Sequence, residues 1–151
     1  MNTERSEALT TWATKRLDDL LAGAEPPPVV RTLQLGTLDA WGDGWVRKTW
    51  AADPVLLNGD GSMFGGYVAA LADQVLAFAA MTVVPGDMIF RTTNLTVNFF
   101  KLMRGETLSI EARVISATRQ VIHVRAEFKS EDGKLFAEAS AQQVLTMPGS
   151  K

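Results

Sequence analysis

The chain has 151 residues and a mass of 16.4 kDa, the size of one domain built on one core. Apolar residues make up 46% and charged residues 21%, which excludes a disordered chain; 15 Lys and Arg against 17 Asp and Glu leave a net charge of −2, with no basic stripe for nucleic acid. With no cysteine and a single histidine, His123, the chain has no disulfide, thiol nucleophile, thiolate metal site or multi-histidine metal centre, so any chemistry rests on carboxylates, hydroxyls, amides and backbone.

Residues 1–25 carry charges of both signs and lack the short apolar core of a secretion signal. Leu9, Trp12, Ala13, Leu17, Leu20 and Leu21 recur at helical spacing, which predicts an amphipathic helix over 5–22. Gly23 ends it, and Pro26-Pro27-Pro28 forms a stiff connector that does not continue a helix. Residues 1–28 are therefore read as an N-terminal helix with a Pro-rich connector, and 29–151 as the main domain. Asp43-Gly44 is a turn signal between two short predicted strands, over 33–38 and 45–51. Asn58-Gly59-Asp60-Gly61 reads as loop.

Residues 65–84 then read as one long helix, apolar nearly all round and so buried on most sides, with Pro85-Gly86-Asp87 as its stop. Asp73 and Gln74 at its centre argue against a membrane span, because an Asp at mid-bilayer costs about 2.5–3.5 kcal/mol. The remainder reads as a β-meander of four strands over 89–100, 107–118, 122–128 and 134–147. In the second, Leu108, Ile110, Ala112 and Val114 alternate with Ser109, Glu111 and Arg113; in the last, Leu135, Ala137, Ala139 and Ala141 share one face and leave room for a close helix. The class is α+β, a sheet wrapped around one helix. One helix does not cover so long a sheet, which invites pairing with a second copy.

Asp73 is the most informative residue, a carboxylate expected in buried apolar surroundings, where it needs partners or serves as a general base or nucleophile. Gly65-Gly66 opens the same helix; the pair allows close approach of a ligand, and the free N–H groups there favour negative charge and suit the oxyanion of an attacked carbonyl. Gly65 and Asp73 lie eight residues apart, roughly 12 Å along a helix. One carbonyl cannot touch both, so if both act, Asp73 meets the helix N-terminus of another subunit.

The stretch from Asn58-Gly59 through Phe64-Gly65-Gly66 to Leu71-Ala72-Asp73 resembles the hotdog-fold acyl-CoA thioesterases of the phenylacetic-acid-degradation (PaaI-like) branch. That family has an Asn-Gly loop, a His-Gly-Gly and then Leu-Ala-Asp on the central helix; here six residues separate Asn58 from Phe64 and nine separate Phe64 from Asp73. The run Thr92-Thr93-Asn94-Leu95-Thr96-Val97-Asn98-Phe99 looks like the family's next strand, and the resemblance covers about 33–147.

The resemblance implies a hotdog fold and hydrolysis of an acyl-CoA. Asp73 matches the catalytic carboxylate, the Gly65 N–H the oxyanion donor, and Asn58 a side chain beside it. Thr92 matches the Ser or Thr that orients water, with Thr93 one register away; Phe64 and Gly66 are expected to meet substrate. Coenzyme A enters only as part of the substrate, with no metal or other cofactor and no nucleic-acid or membrane partner. A cytoplasmic homodimer or dimer of dimers is expected. Phe64 stands in place of the family's His, which keeps open a non-catalytic acyl-CoA-binding protein. Hotdog dehydratases and hydratases need a His beside a carboxylate, and His123 lies on a distant strand. Trp12, Trp41, Trp45 and Trp50 suit packing or an acyl pocket, and Lys101, Arg104 and Arg119, near strand ends, are candidates for solvent or for CoA phosphates.

Overall fold

The computed structural model describes residues 10–149. Helix α1 spans Trp12–Leu21; the part of the expected helix over residues 5–9 lies outside the described residues. Thr11 sets its start: the Thr11 hydroxyl accepts from the Thr14 N–H at 3.2 Å and the Thr14 hydroxyl from the Thr11 N–H at 2.9 Å. These bonds satisfy amides that a helix start leaves open. Ala13, Leu17 and Leu20 point into the same core as the rest of the chain.

The strand expected over 33–38 is not formed. A short helix, α2 (Pro28–Thr32), precedes it, because Pro28 sits at the first helical position, where its fixed φ helps and its missing N–H costs nothing. Gln34 then takes a left-handed φ of 54°, which breaks any extended run, and Leu35 and Leu38 are buried without strand pairing. The first strand is β1 (Ala40–Gly42), joined to β2 (Trp45–Trp50) through the expected Asp43-Gly44 turn, where Gly44 has a φ of 79°.

Helix α3 spans Gly65–Met81 and stops short of the expected 84. Thr82 ends it, its hydroxyl donating to the Ala79 carbonyl at 2.7 Å and accepting from the Gly44 N–H at 3.0 Å. Strands β3 (Ile89–Phe99), β4 (Leu108–Ala117), β5 (Val121–Ser130) and β6 (Leu135–Thr146) follow. The sheet order is β1-β2-β4-β5-β6-β3, antiparallel throughout. The four-strand meander is corrected here: β4–β5–β6 is a meander, but β3 pairs with β6 at the far edge. β4 pairs with β2 instead, and the connection after β3 crosses the start of α3, where the Met63 N–H donates to the Met103 carbonyl at 2.7 Å.

The result is the hotdog arrangement, six antiparallel strands wrapped around α3. Leu108, Ile110 and Ala112, then Ile122, Val124, Ala126 and Phe128, then Ala137, Ala139 and Ala141, face inward as the alternation predicts. Against them α3 buries Leu71, Ala72, Val75, Leu76 and Ala79. The alanines of β6 let the helix backbone lie close. Enlarging one, as in Ala139→Leu, is expected to cost about 1–3 kcal/mol by overpacking, whereas Ser140→Ala on the outer face changes stability by under about 0.5 kcal/mol. Denaturant unfolding of the two variants checks this, and equal losses would show that β6 does not set the helix distance.

Candidate active site

Two clefts open beside α3. The first, about 350 Å³, lies at the helix N-terminus and is lined by Asn58, Ser62, Gly65, Phe99 and Lys101 among others. The loop leading into it is braced. Asn58 Nδ2 donates to Ser62 Oγ at 3.1 Å and to the Met63 carbonyl at 3.2 Å, and the Asp60 carboxylate accepts from both the Ser62 hydroxyl and the Ser62 N–H. Those bonds to Ser62, with the charge of Arg104, hold Asp60 below the usual carboxylate range.

The loop delivers Phe64 to the helix as an N-cap whose side chain makes no capping bond. Tyr67 and Val68 direct their N–H groups to the Phe64 carbonyl, while the amides of Gly65 and Gly66 have no acceptor among the described residues. A Cβ at Gly65 would lie 3.4 Å from the Phe99 ring, and one at Gly66 would meet the Phe64 ring at 2.8 Å. Two phenylalanine rings therefore frame a pair of open amides at the positive end of a helix dipole. Such a tip suits an anion or a polarised carbonyl oxygen.

The second cleft, about 480 Å³, opens halfway along α3 and holds Asp73, Gln74 and Thr92 against a wall including Trp12, Leu35 and Phe78. The expectation of a buried Asp73 is corrected: it is exposed in the single chain. The reason is the helix phase. Ala69, Ala70, Asp73, Gln74 and Ala77 fall on the one stripe of α3 that the sheet does not cover, and all of them are exposed or half-buried. Of the four residues expected to act together, Asn58 and Gly65 share the first cleft, and Asp73 and Thr92 share the second. Within one chain the structure does not bring the pairs together, as the rise along α3 requires.

Thr92 rather than Thr93 reaches the Asp73 cleft. The pairing of β3 with β6 slips between Thr92 and Asn94, and Thr93 Oγ1 lies 3.4 Å from the Gln142 carbonyl instead. His123 sits half-buried at a non-inward position of β5, opposite Gln142. Trp41 and Trp50 are buried and donate to Asp18 Oδ1 at 3.0 Å and to the Gln34 carbonyl at 3.3 Å, so they pack and anchor. Trp45 lies beneath the Arg47 guanidinium at 5.6 Å, and Trp12 alone of the four lines a cleft. Lys101 lines the first cleft and Arg104 reaches the Asp60 carbonyl at 3.2 Å, whereas Arg119 is exposed between β4 and β5.

Sequence reasoning missed Lys48, which is 1% exposed. Its Nζ donates to the Leu35 carbonyl and to Gln74 Oε1 at 2.8 Å, and Gln74 Nε2 donates to the Gly36 carbonyl at 2.6 Å. Tyr67 adds a bond from its hydroxyl to the Gln34 carbonyl at 2.8 Å. Together they pin residues 34–36 to α3 as the wall of the second cleft. The alternation of Val46, Lys48 and Trp50 in β2 is the signal that places Lys48 inward.

The sequence profile of the thioesterase superfamily matches residues 60–137. A protein of Saccharolobus solfataricus named as an esterase is 36% identical over 80 residues, which span 52% of this chain and 56% of that one. Among solved structures, a phenylacetic acid degradation-related protein of Ralstonia eutropha is 30% identical with a TM-score of 0.74, over 85% of this chain and 98% of that chain. A Haemophilus influenzae thioesterase at 18% identity shares the fold, with a TM-score of 0.76 over 94% of this chain and 96% of that one. A Streptococcus pneumoniae thioesterase protein solved with coenzyme A aligns at 21% identity, with a TM-score of 0.65 over 75% of this chain and 87% of that one. No helix among the described residues is long and apolar enough to cross a membrane.

Burial lowers the Lys48 pKa to about 8 from 10.5, against an opposing pull from the Asp39 charge. Between those values the unfolded chain binds more protons than the folded one, so stability from this group rises with pH there and is level below 8. Urea unfolding of the wild type and Lys48→Met from pH 7 to 10.5 is expected to show the difference moving in favour of wild type above pH 8. A difference that stays constant would mean that Lys48 titrates as an exposed lysine does.

Proposed function

The chain belongs to the thioesterase superfamily, and on that premise we propose that it hydrolyses an acyl-CoA thioester to the free acid and CoA at a site shared by two copies. The observation that carries the reading is the separation of two complementary halves, a carboxylate in one cleft and open helix amides in the other. The Gly65 amide polarises the thioester carbonyl and holds the oxyanion; Asp73, from the other protomer, takes a proton from the attacking water. The C–S bond then breaks, and the thiolate recovers a proton to leave as CoA. Direct attack by the Asp73 carboxylate is the variant of the same site, and Thr92 beside Asp73 favours water.

Strand β3 supports a second copy as the source of the missing half. It is an edge strand of 11 residues, paired on one side by β6, and eight of its positions are exposed, Phe99 among them. An edge of this length is a template for its own copy. Antiparallel pairing about a two-fold axis lays two α3 helices side by side in opposite directions, and Ala69 stands midway between Gly65 and Asp73. An axis passing near Ala69 sets each Asp73 against the other Gly65, with small side chains at the crossing. The apolar wall of the second cleft suits the acyl group, and Lys101 in the first cleft suits a CoA phosphate.

Thiol release from a panel of acyl-CoAs tests the reading. Asp73→Asn is expected to lower kcat by about 10²–10⁴. Gly65→Pro is expected to cost about 10²–10³, because proline at the first helical position keeps the helix and removes the one N–H. Phe64 already has the extended ψ of 123° that a following proline requires. Neither variant alone turns over at the wild-type rate, but a mixed dimer of the two carries one intact shared site and regains activity. No recovery in verified mixed dimers would place the whole site within one chain. Tight acyl-CoA binding without thiol release in any member of the panel would favour the binding protein that Phe64 motivates.

A further inference from the structure

We propose that Gln143 is a positioning residue that fixes the Thr92 hydroxyl as a hydrogen-bond acceptor for the attacking water. This rests on the hydrolytic reading above. Gln143 lies on β6 at an inward position, between Ala141 and Leu145, and is 0% exposed. It stands directly opposite Thr92 in the β3–β6 register, and the Thr92 hydroxyl donates to its Oε1 at 2.7 Å. Its Nε2 makes no hydrogen bond and is the one buried side-chain nitrogen or oxygen among the described residues in that position.

A buried amide with an unpaired donor is unfavourable, and a leucine of similar size would fill the space without that penalty. The retained amide therefore needs another reason. Its bond to Thr92 supplies one. A hydroxyl has one proton to give. With that proton committed to Gln143, the lone pairs of Thr92 Oγ1 remain to accept, on a side chain that lines the cleft with Asp73. A water between two acceptors gives one proton to each and turns its own lone pair away from both, towards the thioester carbon. Without Gln143 the Thr92 hydroxyl is free to donate to the Asp73 carboxylate or to the water itself. Either arrangement would blunt the base or misdirect the nucleophile. The slip in pairing between Thr92 and Asn94 is the local irregularity that re-aims side chains near a site.

A double-mutant cycle tests this. Gln143→Leu is expected to lower kcat on the order of tenfold with KM unchanged, and Gln143→Leu in a Thr92→Val background is expected to have no further effect. Additive losses would overturn the proposal, as would a rise in KM with kcat intact. Gln143→Met, which keeps the length of the side chain without its amide, gives the same comparison if the leucine variant does not fold. A high-resolution crystal structure separates failure here from failure of the hydrolytic reading. In wild type it is expected to show water within hydrogen-bond reach of both Thr92 Oγ1 and Asp73, and in Gln143→Leu it is expected to lack it. Wild type that binds this water but releases no thiol would refute hydrolysis alone. Water equally ordered in both proteins would refute the role of Gln143.

Discussion

An α-helix does not fold back to bring its middle to its end, and α3 is held with one side on a packed sheet. Gly65 at the first helical position and Asp73 eight residues on are fixed about 12 Å apart by the rise of the helix. The inward face of β4, β5 and β6 holds α3 along its length, so the separation is a property of the core. In the proposed reaction, two half-sites on one rod become one whole site only when a second rod runs the other way beside it. The exposed edge of β3 and the small residues near Ala69 are both consistent with that requirement.

The same packing explains which side of α3 is available. A helix apolar on nearly every face has no obvious solvent stripe, and the sequence alone makes Asp73 look submerged. The sheet covers Leu71, Ala72, Val75, Leu76 and Ala79, and the stripe it leaves contains Asp73 and Gln74. The N-terminal elements do not close over this stripe but wall it. Trp12 ties α1 to the start of β3 through a bond from Nε1 to the Met88 carbonyl at 2.7 Å, and Lys48, Gln74 and Tyr67 hold residues 34–36 in place. The wall of the second cleft is thus set by polar bonds to backbone carbonyls.

Legibility followed the range of the interactions. Helix α3, the Asp43-Gly44 hairpin and the inward faces of β4, β5 and β6 arise from local periodicity and turn chemistry, and the sequence displays both. The placement of β3 at the far edge does not, because it depends on which partner strand remains free once β2 has taken β4. Helix α2 was hidden by its own prolines: Pro28 breaks a helix that precedes it and begins one that follows. Lys48 and Gln143 are a different case. Both lie in register with inward apolar neighbours, Val46 and Trp50 for one and Ala141 and Leu145 for the other, so strict alternation places them in the core. Their chemistry was obscured by the habit of sending polar side chains outward. A polar residue at an inward position is the stronger signal, since burial there must be compensated. The Asn58-to-Asp73 motif carried the family, but no spacing within it states that Asn58 Nδ2 is committed to its own loop.

Phe64 bears on how the amide tip stays open. A Ser, Thr, Asn or Asp at an N-cap accepts from the second or third helical N–H and stabilises a helix by about 1 kcal/mol. Phe64 forgoes that bond, so the Gly66 amide is left without an acceptor beside that of Gly65, and the Phe64 ring folds over Gly66 where a Cβ would collide with it. The lost cap stabilisation is offset by α3's burial, which a helix packed along its length can sustain. An imidazole at this position would bring a polar partner to the tip. The phenyl ring instead brings no polar partner, and Phe99 lies on the other side. Two open donors between two rings form a tip that depends on backbone alone.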